Sequence, residues 1–318
     1  METKIRKPVR GYFYIAAATF CWGIAASMGR AAFTGRLPGL HALRPIDPLI
    51  LSQSRATFSF LVLLPVLGLL RGRRLRLPAA DVGQIFLIGI LGVAASNYFY
   101  YLAIQRTNVA TAIIVQYTAP IWVLLYTVAR GLQKPTLQRV AAVGLAVTGI
   151  ALVIGLFGGG GLRLDTIGVI AALLAAFSFA FYNIGGHNIL ARLDRWIVLL
   201  YTTCSASLFW IVINPPWKIT AAHYSGEQWL FLLLFSFISV LAPFSFYFAG
   251  LQHLEPTRAI VVSCLEPVFS IVIAAVALGE IVRPLQVTGI VLVLAAIVVV
   301  QLPDRRSAEV LPMVEPIE

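Results

Sequence analysis

An all-α integral membrane protein is the fold class this sequence predicts, and three observations predict it. The chain is 59% hydrophobic and only 12% charged, where a soluble domain runs to about 45–50% apolar and about 25% charged residues. Apolar runs of the ~20 residues that span a bilayer recur until nearly all 318 residues are used. No run shows the period-two alternation of a membrane barrel strand. This composition excludes a soluble enzyme, a disordered protein and a nucleic-acid module, and leaves no soluble domain over.

Ten spans are expected, near 11–33, 46–70, 82–104, 108–129, 137–157, 166–190, 196–213, 229–251, 257–278 and 284–302. The first follows a basic stretch, Lys4-Ile5-Arg6-Lys7-Pro8-Val9-Arg10. A signal peptide starts the same way, but its apolar core is about 7–15 residues long. The run from Tyr12 to Phe33 is longer and reads as a retained span. The third and fourth spans meet at Gln105-Arg106-Thr107-Asn108, and the eighth and ninth at Leu254-Glu255-Pro256, both too short for more than a tight turn. The chain divides into a cytoplasmic segment 1–10, five spans over 11–157, five over 163–302, and a mixed-charge tail 303–318 expected to be disordered.

Charge orients the spans. Net charge is +11, from 24 Lys and Arg against 13 Asp and Glu. With the N-terminus in the cytoplasm, 16 of the 24 bases fall on that side, seven on the other, and Arg55 inside a span. Cytoplasmic loops carry the excess of Lys and Arg, and an even number of spans puts both termini on one side, so the two readings agree. Cys21, Cys204 and Cys264 each sit in an apolar run with no CxxC spacing, which argues against a disulfide framework or a zinc site.

The chain also resembles itself. At a shift of 147 residues Asp47 meets Asp194, Leu61 meets Leu208, Gln105 meets Gln252, Ala112 meets Ala259 and Pro120 meets Pro267. The first helix of each half aligns at a shift of 157: Gly11 on Gly168, Ala18 on Ala175, Phe20 on Phe177. The extra ten residues fall in the loop from Thr34 to Pro45. Each copy holds five spans, an odd number, so the second must cross the membrane inverted relative to the first. Inverted repeats mark transporters that alternate access around a midplane site.

At this point the chain resembles a known group. Pro256-Thr257-Arg258-Ala259, Leu265-Glu266-Pro267-Val268, Leu278-Gly279-Glu280 and Gln286-Val287-Thr288-Gly289 are similar to the last two helices of an EamA domain, of the drug/metabolite transporter superfamily. The first half has the matching Asn108-Val109-Ala110-Thr111-Ala112 and Ala119-Pro120, with Trp22-Gly23 and Arg55. The resemblance spans about 11–302 and implies an inner-membrane carrier, often an exporter of amino acids or other small metabolites. The halves differ: Ala119 stands where the second has Glu266, and Gln133 where it has Glu280.

Charge inside a membrane is expensive, costing about 2.5–3.5 kcal/mol at a span centre on insertion scales. Glu266 is the one acid well inside a span and Arg55 the deepest base. At ~1.5 Å of rise per residue, each approaches the midplane from its own side. They are either structural, paired with each other or bonded to carbonyls freed near proline, or they face a wet cavity. There Arg55 takes a substrate carboxylate and Glu266 an amine or a proton. The same central region holds Trp22 and Gln116, with Asn97 and Tyr101 somewhat nearer the outside, Asn183 nearer the inside, and Tyr98, Tyr117 and Tyr182 adding aromatic surface. Pro120, Pro243 and Pro267 lie inside spans, where a missing N–H frees a carbonyl and kinks a helix. Gly144, Gly149 and Gly289 are expected to let helices approach closely.

A secondary transporter is therefore the expected function, with an amino acid or similar amphipathic metabolite as cargo, the bilayer and the cargo as partners, and a proton at Glu266 as the candidate coupling ion. The protein is expected to act as a monomer or homodimer and to use no cofactor and no metal. GxxxxGK[ST] is absent, and Gly158-Gly159-Gly160-Gly161 is followed by no Lys-Ser/Thr. A nucleotide-sugar or organic-phosphate carrier is the alternative, although more cavity cations would be expected for it. A lipid flippase or an intramembrane enzyme is less favoured: Gly-x-Ser-Gly, Asp-rich clusters and His-Glu-x-x-His are all missing.

Overall fold

The computed structural model describes residues 8–33, 45–107, 109–154, 165–278 and 283–302. The tail 303–318, Asn108, the glycine run 158–161 and Glu280 lie outside the described residues. Ten helical rods make up the rest. They are α1 (Pro8–Phe33), α2 (Pro48–Arg71), α3 (Ala79–Leu87, Ile88–Ala94 and Ala95–Arg106), α4 (Val109–Gln116 and Ala119–Ala129) and α5 (Leu137–Val153). The second set is α6 (Thr166–Leu190), α7 (Arg195–Ile213), α8 (Gly226–Ser236, Phe237–Leu241 and Ala242–Leu251), α9 (Pro256–Ser263 and Leu265–Leu278) and α10 (Pro284–Gln301). A short helix, Pro216–Thr220, sits between α7 and α8.

Among the described residues eight helices are long and apolar enough to cross a membrane: α2, α3, α4, α6, α7, α8, α9 and α10. The 17-residue α5 is a shorter apolar helix, and α1 runs for 26 residues. Outward-facing apolar side chains such as Leu69, Val212, Val276 and Val298 are exposed, the surface a lipid environment favours and water does not.

Local chemistry fixes where the rods begin. Asp47 caps α2 by accepting from the Leu49 and Ile50 amides at 2.8 and 3.2 Å. Asp194 caps α7 in the same way from the Trp196 amide at 2.9 Å. Each side-chain oxygen satisfies donors that the first turn leaves orphaned. Ser225 and Gln228 form a capping box at the start of α8.

The irregularities also come in pairs. Seven residues of π-helix, Ile88–Ala94, interrupt α3, and five, Phe237–Leu241, interrupt α8. The last residues of the two segments are 147 apart. Tyr117-Thr118 breaks α4, and Cys264 breaks α9. Both breaks lie just before the prolines expected to bend these rods, so Pro120 and Pro267 sit in the first turn of the second piece, where a missing N–H costs least. Pro243 similarly follows the π segment of α8. The helix is interrupted two to three residues upstream of Pro120 and Pro267, next to the carbonyls of residues 116 and 263 that their missing N–H groups would have bonded. Pro65, inside α2 and facing outward, is a further interior proline that the sequence reading did not single out.

Packing is reciprocal between the halves. α1 lies on α8 as α6 lies on α3, α1 lies on α9 as α6 lies on α4, and α2 meets α7 while α5 meets α10. Gly11 abuts Leu254, and Gly168 abuts Thr107. At the α5–α10 crossing, a Cβ on Gly149 would come within 2.8 Å of the Gly289 carbonyl oxygen. Only glycine permits that approach. Gly144 differs from the expectation: nothing lies within 4 Å of the space its side chain would fill, so it does not set this packing distance.

Candidate central site

The site starts from an irregular helix. The π-helical stretch of α8, Phe237–Leu241, runs into Pro243, which has no N–H to give. Arg55, on α2, reaches this stretch: its Nη2 donates to the Ser239 carbonyl at 3.3 Å. The guanidinium also lies 6.0 Å from the Phe235 ring centroid, within cation–π range. A carbonyl of one half thus meets a cation of the other. The sequence reading offers carbonyls near Pro267 as partners; the carbonyl Arg55 meets is that of Ser239, four residues before Pro243.

Arg55 lines a small cavity with Ser52 and Ala56 of α2, Val93 and Asn97 of α3, Thr202 and Thr203 of α7, and Phe244 of α8. Its volume is about 20 Å³, room for one water-sized group and not for a metabolite, so the protein is closed around this point. Five lining pairs are repeat mates at the 147-residue shift: Ser52 with Leu199, Arg55 with Thr202, Ala56 with Thr203, Val93 with Val240, and Asn97 with Phe244. The cavity therefore lies between equivalent surfaces of the two halves.

Phe244 joins this cavity to a second cluster. Its ring stands 5.5 Å from Trp22 and 5.9 Å from Tyr182, and Tyr247 stands 5.3 Å from Trp22 and 5.5 Å from Tyr182. The Tyr247 hydroxyl donates to Asn183 Oδ1, and Asn183 Nδ2 donates to the Phe179 carbonyl at 2.9 Å. Beside this cluster, the Tyr117 hydroxyl donates to Glu266 Oε2 at 2.8 Å. Tyr117 belongs to the break in α4, and Glu266 opens the second piece of α9.

Among the described residues Glu266 and Arg55 are not ion-paired to one another: the carboxylate accepts from Tyr117, and Arg55 donates to the Ser239 carbonyl. Each charge thus keeps unused bonding capacity in the middle of the bundle, where an unpaired charge is costly.

Of the residues chosen from sequence, the structure brings Arg55 and Asn97 to the cavity, and Trp22, Tyr182 and Asn183 to the aromatic cluster, with Tyr117 on Glu266. Asn97 is partly occupied by its own helix, its Nδ2 donating to the Val93 carbonyl at 2.8 Å. Three residues are placed elsewhere. Tyr98 packs on Phe209 and Trp210 of α7, Tyr101 lies against Tyr100, and Gln116 Nε2 donates to Ser96 Oγ at 3.3 Å in the α3–α4 seam. Sequence reasoning missed Ser52, Thr202, Phe244 and Tyr247. The repeat held the signal for two of them, since Thr202 is the mate of Arg55 and Phe244 the mate of Asn97. Among the described residues, no group of three or more His, Cys, Asp or Glu gathers as a metal site.

On the face holding the α4–α5 and α8–α9 connections, a polar cluster ties the halves together. Glu255 Oε2 lies 3.4 Å from Arg139 Nη2 and 3.9 Å from Arg258 Nε. Gln133 Nε2 donates to the same oxygen at 3.4 Å, and the Thr257 hydroxyl donates to Gln133 Oε1 at 2.7 Å.

Known proteins match this architecture. A transporter described as an uncharacterized inner membrane transporter, YicL of Salmonella typhimurium, is 21% identical over 301 residues, covering 94% of this chain and 97% of its own. An uncharacterized transporter of Archaeoglobus fulgidus is 22% identical over 257 residues, covering 80% of this chain and 86% of its own. One solved crystal structure superposes with a TM-score of 0.74 at 21% identity, over 93% of this chain and 98% of that one, a likeness of fold. The EamA-like transporter family matches twice, over residues 9–155 and 166–302. A bundle of membrane-crossing helices with reciprocal packing, matched over both halves, makes this chain a member of the EamA-like transporter family.

Proposed function

We propose that the protein is a secondary transporter of amino acids or similar small amphipathic metabolites, an exporter working by alternating access around the central cavity. α1 and α5 cross the membrane with the other eight, giving two five-helix repeats, 11–157 and 163–302, that run in opposite directions. α5, at 17 residues, is at the short end of what spans a bilayer. Both termini then lie in the cytoplasm, as the arginine and lysine distribution favours. The Salmonella relative's description supports an inner-membrane location.

The observation that carries this reading is the cavity itself, lined by equivalent positions of both halves and bearing one cation. Rocking one half against the other opens such a cavity to each side in turn. Arg55 takes the substrate carboxylate. Glu266 takes its amine or a proton, and Trp22, Phe244, Tyr182 and Tyr247 hold its apolar part. Asn97, Tyr117 and Asn183 add polar contacts. Tyr98, Tyr101 and Gln116 support the walls. The Glu255 cluster holds one face shut and must part for the cavity to open there. Arg55 is the one cation on the cavity wall, which suits a carboxylate better than a nucleotide sugar or an organic phosphate.

Uptake of a pool of labelled amino acids into proteoliposomes, with and without an imposed pH gradient, tests the proposal. Accumulation of a defined subset is expected, and its gradient dependence reports proton coupling. No uptake by demonstrably folded protein would remove amino acids as cargo.

A further inference from the structure

We infer that Ser52 and Thr202 complete, with Arg55, a carboxylate-binding cradle between the two halves. The inference rests on the carrier reading and names the group by which its cargo is held.

The evidence is a contrast among hydroxyls in the same layer. Buried Ser and Thr side chains on helices commonly bond back to a carbonyl of the preceding turn. Here Ser59 bonds to Arg55, Thr203 to Leu199, Ser205 to Thr202, Ser207 to Thr203 and Ser239 to Phe235, all at 2.6–3.0 Å. Ser52 Oγ and Thr202 Oγ1 do not. Both are buried, the residues being 4% and 1% exposed, and both oxygens lack a hydrogen-bond partner among the described residues. Both residues line the Arg55 cavity, one from each half. A buried polar group without a partner is a rare feature of a folded chain and calls for an explanation.

The chemistry of the three groups selects the ligand. Arg55 has five donors and uses one on the Ser239 carbonyl. Each hydroxyl has a proton to give. A carboxylate is acceptor-only, with about four lone-pair sites, and bonds to charged donors more strongly than a neutral carbonyl does. An ammonium group finds a like charge in Arg55. A phosphate dianion brings more charge than one guanidinium neutralises.

The test uses purified full-length protein and three probes of one shape: 3-phenylpropionate, its amide and phenethylamine, measured by titration calorimetry. The acid is expected to bind at least tenfold more tightly than the amide or the amine. In the Ser52→Ala, Thr202→Val double variant the acid's advantage falls below threefold. Ser207→Ala, which removes a hydroxyl that lies off the cavity wall and is already tied to its own helix, leaves it intact. If the double variant does not fold, Thr202→Val alone must lower the preference while Thr202→Ser, which keeps the hydroxyl, preserves it. Equal affinity for acid and amide in the wild type, a preference that survives loss of both hydroxyls, or no binding of any probe overturns the cradle. Failure of the cradle and of the carrier reading are separable. Amino-acid uptake without an acid preference keeps the carrier and removes the cradle. An acid preference in a protein that carries no amino acid does the reverse.

Discussion

The two halves share a backbone plan and divide the chemistry between them. At equivalent positions the first half has Arg55, Asn97 and Tyr117, where the second has Thr202, Phe244 and Cys264. The second half has Glu266 and Pro243, where the first has Ala119 and Ser96. The first half therefore supplies the cation and the second the acid and the broken helix whose carbonyl holds that cation. Duplication explains the capped helix starts, the paired π segments and the paired breaks. It does not explain the site, which lies in the differences between mates.

Removing the main difference should have the largest effect. Arg55→Ala is expected to lower transport about 10–100-fold, the ~1.5–3 kcal/mol of hydrogen bonds to a charged group, with membrane insertion unchanged. Glu266→Gln should act on a similar scale. Moving the charge sharpens the comparison: Arg55→Thr alone should be as inactive as Arg55→Ala, and adding Thr202→Arg should recover part of the rate. Wild-type rates in both Arg55→Ala and Glu266→Gln would show that the site lies elsewhere.

The seam between the halves is tested by size. Gly149→Ala drives a methyl against the Gly289 backbone and should cost about 1–3 kcal/mol of stability, as overpacking does. Thermal unfolding in detergent reads this, and Gly144→Ala, with open space around it, should shift it by less than about 0.5 kcal/mol.

The smallest transport effect is expected from Pro243→Ala. The restored N–H adds a donor beside the π-helical stretch Phe237–Leu241, which competes with Arg55 for the carbonyls there. The loss should be about two- to tenfold, the ~0.5–1.5 kcal/mol of one hydrogen bond. The equivalent first-half residue, Ser96, already has its N–H, so Ser96→Ala should not disturb Arg55 in this way.

The sequence made the scaffold legible because bilayer spans need long apolar runs and because the 147-residue shift left matched residues at helix starts and breaks. It marked Arg55 and Glu266 because charge at that depth is rare. The other site residues were harder. Tyr98 and Tyr101 follow Asn97 and Tyr100 by one residue each, about 100° of rotation, and which face points inward depends on the π segment Ile88–Ala94, whose wider turn no periodicity announces. Ser52 and Thr202 look like any other membrane hydroxyl until the partners of their neighbours are known. Phe244 and Tyr247 sit in an aromatic-rich run, Phe244-Ser245-Phe246-Tyr247-Phe248, that reads as core.

The central claim is that one site between unequal halves is reached from both sides of the membrane. The most direct test places a single cysteine at Ala206, on the cavity wall, in a variant with Cys21, Cys204 and Cys264 replaced by alanine. A membrane-impermeant thiol reagent is then applied to right-side-out and inside-out vesicles. Labelling from both sides, slowed on each by a carried substrate, is the predicted result. Labelling from one side alone, whatever the substrate, would contradict it.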